Sequence, residues 1–477
     1  MNVLDAPLIE TEANNAWVPL NQRKKLSMGR ILAIASCNLV PGLVWNIVFA
    51  LLEPFVKSLG ISSTVKTLLL LWGSFIGFVL GPVLGVISDG LTFKYGRRRI
   101  FVITGSVLVV ISLLLMTYCY EIGTFLKPSR PDSYRKAVFI IAIMMVFTAG
   151  NIVQSPARVL CSDITPPTQQ SLMSNICQVY NGVSSIFANL LGGFGVYKYT
   201  SLKQEQFLLI VCLSIAFLAM TISVISAVEE PLLVKPPKVN PFKQIWLAFR
   251  KMPKPFISTA PAFLLAFVAT YQYQVAFSDF MGSEIMKGNN SEAAGEELNN
   301  LYQEGVSWSM MCNVMNNVIQ LIYGFVNTKV CEVIGMKWAM VIGNFLIAFS
   351  LLLFLFVKNQ FVYLLLTSLL GLGTVIYYAI PYAIVSIVIQ TEELGNNLGL
   401  LNCFGVIGQQ ISNFAIGMGV GKLTNNSAGK KIGYSCIFGF LATVASFWVI
   451  QPQIGETYSL YKDDASDLNS IQEISTN

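Results

Sequence analysis

The chain has 477 residues, 54% of them hydrophobic and 12% charged, with a mean hydropathy of +0.62; soluble domains carry roughly twice that charge, so a water-soluble fold is excluded. The net charge of +6 is small and spread over many loops, which fits topology signalling and excludes a nucleic-acid patch. No histidine occurs anywhere, which removes the usual zinc ligand, the histidine-based catalytic arrangements and the readiest proton shuttle near neutral pH.

Residues 1–30 are polar, hold no apolar core of signal-peptide length, and read as a cytoplasmic N-terminal segment. Apolar windows follow at 31–52, 65–88, 100–120, 137–161, 173–197, 206–228, 257–279, 305–326, 337–357, 361–390, 397–420 and 431–451. Each is close to the ~20 residues that cross a hydrocarbon layer of roughly 30 Å as a helix. The expected fold is an all-α membrane protein of 12 transmembrane helices, in two six-helix bundles over 31–228 and 257–451. The basic stretch 229–256, with Lys235, Lys238, Lys243, Arg250, Lys251 and Lys254, reads as a cytoplasmic linker between them, and 452–477 as an acidic cytoplasmic tail.

Twelve spans put both termini on one side. With that side in the cytoplasm it holds 18 of the 31 Lys and Arg residues, a modest positive-inside bias. The two Asn-x-Ser sequons, at Asn289 and Asn425, then both fall in outside loops and are glycosylation candidates. They favour a secretory-pathway membrane, the plasma membrane first and a vacuolar or lysosomal one second. The nine cysteines are scattered without metal-ligand spacing and read as packing residues; no metal and no cofactor is expected.

Between spans two and three lies Gly81-Pro-Val-Leu-Gly85-Val-Ile-Ser-Asp89-Gly-Leu-Thr-Phe-Lys-Tyr-Gly96-Arg97-Arg98-Arg99. Gly85 allows close helix approach, Asp89 offers an acceptor, and the arginines either close a cytoplasmic gate or serve as a positive-inside anchor. The stretch resembles the signature loop of the major facilitator superfamily. Its longer spacing resembles the form in the proton-coupled sucrose transporters and their animal relatives, within the glycoside-pentoside-hexuronide cation symporters. Three further regions resemble that family in register: Asn151-Ile-Val-Gln154-Ser-Pro156-Ala-Arg158-Val-Leu-Cys-Ser-Asp163, then Ser278-Asp279-Phe-Met-Gly282-Ser-Glu284 with Tyr302-Gln-Glu-Gly305-Val306, and Ile380-Pro381-Tyr-Ala-Ile-Val-Ser386. Gly90 in place of Arg, Ile100 in place of Pro, Glu53 in place of Thr and an arginine-free span five depart from it. These departures bear on substrate and coupling more than on fold.

Amides recur on helical faces: Asn38 and Asn46 in span one, Gln154 in span four, Gln178, Asn181 and Asn189 in span five, Gln272 and Gln274 in span seven. Span eight adds Asn313, Asn316, Asn317 and Gln320, and span eleven adds Asn402, Gln409 and Asn413. In lipid such groups need partners, either one another as interhelical glue or a solute in a watery cavity. Amides donate and accept, which suits hydroxyl-rich neutral solutes. The candidate sugar cradle is Trp45, Asn46, Gln154, Gln178, Asn181, Gln272, Asp279, Asn316, Gln320, Asn402 and Gln409, with Tyr271, Tyr377 and Tyr378 as further stacking surfaces.

Arg158 and Asp163 lie about 32 Å and 39 Å along span four and point roughly 140° apart, so each is expected to pair with another helix. The resemblance implies that Asp163 carries a coupled proton with Arg158 as its modulator. The alternative for Asp163 is a salt bridge to the Arg97–Arg99 loop. The functional expectation is a secondary active transporter, a proton-coupled symporter of a sucrose-like disaccharide or other glycoside. An uncoupled facilitator and a non-transporting sensor are the alternatives, and no enzyme is expected. The expected partners are a small sugar and the bilayer, with no nucleic acid and a monomeric assembly.

Overall fold

In hydrocarbon every backbone N–H and C=O must be paired within its own segment, and the helix is the open-chain solution. The computed structural model describes residues 19–89, 91, 93, 96, 98–229, 240–291, 295–389 and 391–452, and among these it contains helices and turns without a β-strand. The first bundle is α1 (Met28–Ser58), α2 (Ser63–Asp89), α3 (Arg99–Thr117), α4 (Pro131–Asp163), α5 (Gln170–Gly193) and α6 (Gln204–Ser226). The second is α7 (Lys254–Ile285), α8 (Glu296–Ile334), α9 (Met336–Leu353), α10 (Val362–Val388), α11 (Thr391–Ile411, continued by Ser412–Val420 and Gly421–Leu423) and α12 (Ala428–Tyr434 with Cys436–Ser446). A ten-residue linker helix, Pro241–Arg250, precedes α7. Each rod overlaps one apolar window; all but α10 begin before it, and half also run past its end.

Among the described residues, eight of these helices are long and apolar enough to cross a membrane: α1, α2, α3, α4, α6, α7, α9 and α10. Of the other four, α5, α8 and α11 are the principal amide carriers, and α12 is interrupted at Ser435. Polar helices inside a bundle this apolar mark the surfaces that face protein or water rather than lipid.

Buried side chains form one core centred on α1–α6, around Ile31, Ile47, Leu51, Phe139 and Leu208 and joined by Tyr271, Val275 and Met310 of the second half, and another within α7–α12, around Phe263, Phe280, Phe354, Tyr363 and Leu401. The halves meet where α1 packs on α7, α5 on α8 and α2 on α11. Within the second half, a Cβ on Gly305 would lie 2.4 Å from the Gly282 Cα, so the ends of α7 and α8 touch backbone to backbone. Helix α7 ends in a π-helical turn over Phe280–Ile285, and α11 turns π-helical over Ser412–Val420. Such segments leave the regular helical ladder and recur at functional places.

Candidate transport site

Two ends are distinguished here by what they carry: the linker end and the sequon end. A cavity of about 150 Å³ lies in the first bundle, lined by Asn38 of α1, Arg158, Cys161 and Ser162 of α4, and Gln170, Ser174, Cys177, Gln178 and Asn181 of α5. Arg158, Ser162, Gln170, Ser174 and Gln178 are exposed, so the cavity opens toward the linker end. From Gln170 to Asn181 it reaches about 16 Å along α5, half of the roughly 30 Å hydrocarbon layer. Across the cleft, Arg158 stands within electrostatic reach of Tyr378 and Tyr382 of α10. Tyr378 is 40% exposed and packs its ring on Phe267 at 5.2 Å, while the Tyr382 hydroxyl donates to Asn402 Oδ1 at 3.3 Å. The cavity lining is therefore amide, thiol and guanidinium, with two tyrosines of the second half in electrostatic range of its arginine.

Asn38 is fixed by sulfur. Its Nδ2 lies 3.2 Å from Cys177, 3.5 Å from Cys37 and 3.6 Å from Cys161, and all nine cysteines are free thiols. Among the described residues no group of three metal-ligating side chains could hold an ion.

The linker end is organised by Glu229, directly after α6. Its carboxylate accepts from the backbone N–H of Arg98 at 2.9 Å and of Arg99 at 3.2 Å. Gly96 makes this possible. It sits at φ +107°, and a Cβ there would lie 2.4 Å from Glu229 Oε2. The Arg98 side chain bonds Asp163 Oδ2 at 3.0 Å and also donates to Ser88. Asp163 thus makes the salt bridge that the sequence offered as the alternative to proton carriage, one residue from the cavity wall. Gly85 lies within α2 and Asp89 is its last residue; Arg97 falls outside the described residues.

The sequon end is shut by bonds that cross between the halves. Lys57 of α1 bonds Asp279 of α7 at 2.6 Å, and the Tyr302 hydroxyl of α8 donates to the same carboxylate at 3.1 Å. Asn290 Nδ2 donates to the Pro54 carbonyl at 2.8 Å, Gln303 Nε2 to Glu205 at 2.9 Å and Gln204 Nε2 to Ser307 Oγ at 3.0 Å. Lys198 pairs with Glu304 at 3.5 Å. Behind this seam Glu53 is buried against Lys66, and the buried Lys431 lies in electrostatic range of both Glu53 and Asp279. Asn289 and Asn425 are exposed at this same end.

Most of the remaining predicted cradle residues are paired away from the cavity. Asn46 bonds Ser185 at 3.0 Å and accepts from Asn189 at 2.9 Å, and Trp45 donates to Gln154 at 3.2 Å while stacking between Phe49 and Phe147. Gln272 donates to the Ser412 carbonyl at 3.1 Å, Asn316 to the Thr367 carbonyl at 2.9 Å, and Gln320 to Asn316. Gln409 accepts from Ser74 of the opposite half at 3.1 Å. Of the predicted cradle, Gln178 and Asn181 line the cavity, beside Arg158, and Asn402 holds the facing tyrosine. Sequence reasoning missed the roles of Lys57, Lys66 and Lys431, cations near helix ends that read as membrane anchors, and of Glu229, which read as the first residue of the linker.

A family model described as the Major Facilitator Superfamily matches residues 34–295. The chain belongs to the major facilitator superfamily. Its similar curated proteins include the sucrose transport protein SUC4 of Arabidopsis thaliana, 27% identical over 439 residues and covering 82% of this chain and 84% of that one. The sucrose transport protein SUT1 of Oryza sativa subsp. japonica is 24% identical over 477 residues, with 87% of each chain covered. Among solved structures, a mutant of the nucleoside transporter NupG superposes with a TM-score of 0.63 at 12% identity, over 88% of this chain and 100% of that one. A bacterial homolog of the human lysosomal transporter Spinster, solved inward-facing and unoccupied, gives 0.58 at 13% identity over 88% and 96%. Membership of this superfamily makes the protein a multi-pass secondary transporter and not an enzyme, and its two half-bundles are the major facilitator fold.

Proposed function

We propose that the protein carries a hydroxyl-rich sugar by alternating access, with the linker end in the cytoplasm and the conformation described here open to that side. The observation that carries this reading is the asymmetry of the two ends: interlocked across the halves at the sequon end, and open at the linker end in an amide-lined cavity whose arginine lies in electrostatic range of two tyrosines of the second half. Amides match sugar hydroxyls, and aromatic faces match the apolar faces of a sugar ring. The named relatives being sucrose transport proteins supports the substrate class. A cavity of about 150 Å³ is smaller than the ~300 Å³ at the low end of ordinary ligand pockets, so a disaccharide needs a wider cleft.

Proton coupling belongs to the same proposal. Protonation of Asp163 removes its charge pairing with Arg98 and loosens the linker end beside the cavity. One observation favours an uncoupled facilitator instead: the described residues lining the cavity include a guanidinium and amides but no carboxylate. Uptake of a labelled sugar panel into proteoliposomes, with and without an imposed pH gradient, separates the two. Symport predicts accumulation that collapses with the gradient, and that Asp163→Asn abolishes while exchange persists. Gradient-independent equilibration establishes the facilitator, and no flux of any sugar overturns the substrate class.

A further inference from the structure

The linker helix presents an exposed face that is both aromatic and basic. Asn240 Oδ1 accepts from the Lys243 backbone N–H at 3.2 Å and caps its start. One side of the helix packs on α2 and α11, one helix from each half. At 100° per residue, Lys243, Trp246, Leu247 and Arg250 fall within an arc of about 100° on another side. All four are exposed, Trp246 at 59% and Leu247 at 45%, and Phe249, at 44%, stacks on Trp246 with ring centroids 5.9 Å apart. A tryptophan and a leucine flanked by two cations are ill suited to bulk water and well suited to the headgroup layer of a bilayer.

Position and charge agree with chemistry. Only residues 251–253 separate Arg250 from the start of α7 at Lys254, a tether of about 10 Å that keeps the helix at membrane level. From Pro231 to Ser278 the chain contains six basic residues and no acidic one. We propose that this face binds acidic phospholipid headgroups, Lys243 and Arg250 engaging the anionic groups while Trp246 and Leu247 sit at the headgroup–acyl boundary. The inference rests on the transport reading only for its placement of the linker end in the cytoplasm, whose leaflet is the anionic one.

The test uses the full chain in vesicles of brominated phosphatidylcholine, with and without phosphatidylserine. The quenching of Trp246 is read as the difference between the wild type and Trp246→Phe, a change at an exposed ring that leaves the core intact. Each basic residue near an anionic surface contributes about fivefold in association, so Lys243→Gln with Arg250→Gln is expected to weaken the response to phosphatidylserine roughly 30-fold. Added phosphatidylserine raises the Trp246 quenching, and high salt or the double variant removes the increase. Equal quenching in both vesicle types overturns the proposal, because apolar insertion alone gives that result. No quenching in either also overturns it, and is what a soluble protein partner on this face predicts. Neither result bears on sugar flux, so this proposal and the transport reading fail separately.

Discussion

The Lys57–Asp279 bond holds the sequon end shut, and breaking it is expected to shift the protein toward its alternative state. Asp279 keeps only 5% of its side chain exposed, while Lys57 keeps 40%. Deleting one partner of a fully buried pair costs about 3–5 kcal/mol and of an exposed pair about 0–1 kcal/mol, so this half-buried pair falls near 2 kcal/mol. In Lys57→Gln the carboxylate stays behind, held by the Tyr302 hydroxyl but stripped of its bonded cation, with Lys431 left only in electrostatic range. Opening the sequon end to water relieves it, and about 2 kcal/mol changes the open-to-shut ratio by roughly 30-fold. Val275, one turn from Asp279 and buried in the core of the first bundle at 2% exposure, supplies a reporter. A cysteine there meets a membrane-impermeant maleimide from the sequon side only when the seam parts. Labelling of Val275→Cys is expected to accelerate by up to that factor with Lys57→Gln, similarly with Asp279→Asn, and less with both, since the double change leaves no orphan charge. Unchanged labelling in both single variants would refute the assignment of this bond as the seal.

Gly96→Ala forces a side chain into the left-handed region against the Glu229 carboxylate, at a cost of about 1–3 kcal/mol; a lowered thermal midpoint of the purified protein is expected, and an unaltered midpoint counts against the Gly96–Glu229 contact as a structural clamp. Gln178→Ala and Asn181→Ala, on the cavity wall, are expected to raise KM for the carried solute while sparing the midpoint. Asn189→Ala, which gives up its bond to Asn46, does the reverse and lowers stability by about 0.6 kcal/mol. Expression in eukaryotic cells tests the sequons: Asn289→Asp and Asn425→Asp should each remove one glycosidase-sensitive mobility step, and Asp is chosen at 425 because its φ of +51° suits Asn, Asp or Gly.

Helix positions were legible because a bilayer imposes length and apolarity on each segment separately, so a window such as 361–390 needs no knowledge of its neighbours to find Val362–Val388. The amide stripes were legible for the same reason, and their helices are largely those that fail the hydropathy test. Which amide meets a partner and which meets water was not legible. Asn46 and Gln178 look alike in sequence, yet Asn46 faces Asn189 across a closed α1–α5 contact while Gln178 lies exposed on the cavity wall. The seal was hidden for a further reason. Lys57 and Asp279 are 222 positions apart, and a lysine at a helix end has an ordinary reading as a membrane anchor. The signal available was charge at the edge of apolar windows, Lys66 just inside 65–88 and Glu53 just past 31–52, where a buried charge needs a partner.

The distribution of charge between the two ends explains how the open side remains stable. At the sequon end Lys57–Asp279, Gln303–Glu205 and Lys198–Glu304 each join one half to the other, so that end cannot part without releasing them. At the linker end Arg98 holds Asp163 and Glu229 holds the Arg98 and Arg99 backbone, and all of these belong to the first half and its edge. Separation of the halves there strands none of these charges. Two states of a transporter must differ by only a few kcal/mol for both to be visited. Closing the linker end therefore has to gain roughly what opening the seal loses, and the groups placed to supply it are those facing the cleft: Arg158, the tyrosines at 378 and 382, and a solute between them. Binding from the open side adds contacts to both halves at once, which is the differential interaction a rocking mechanism requires.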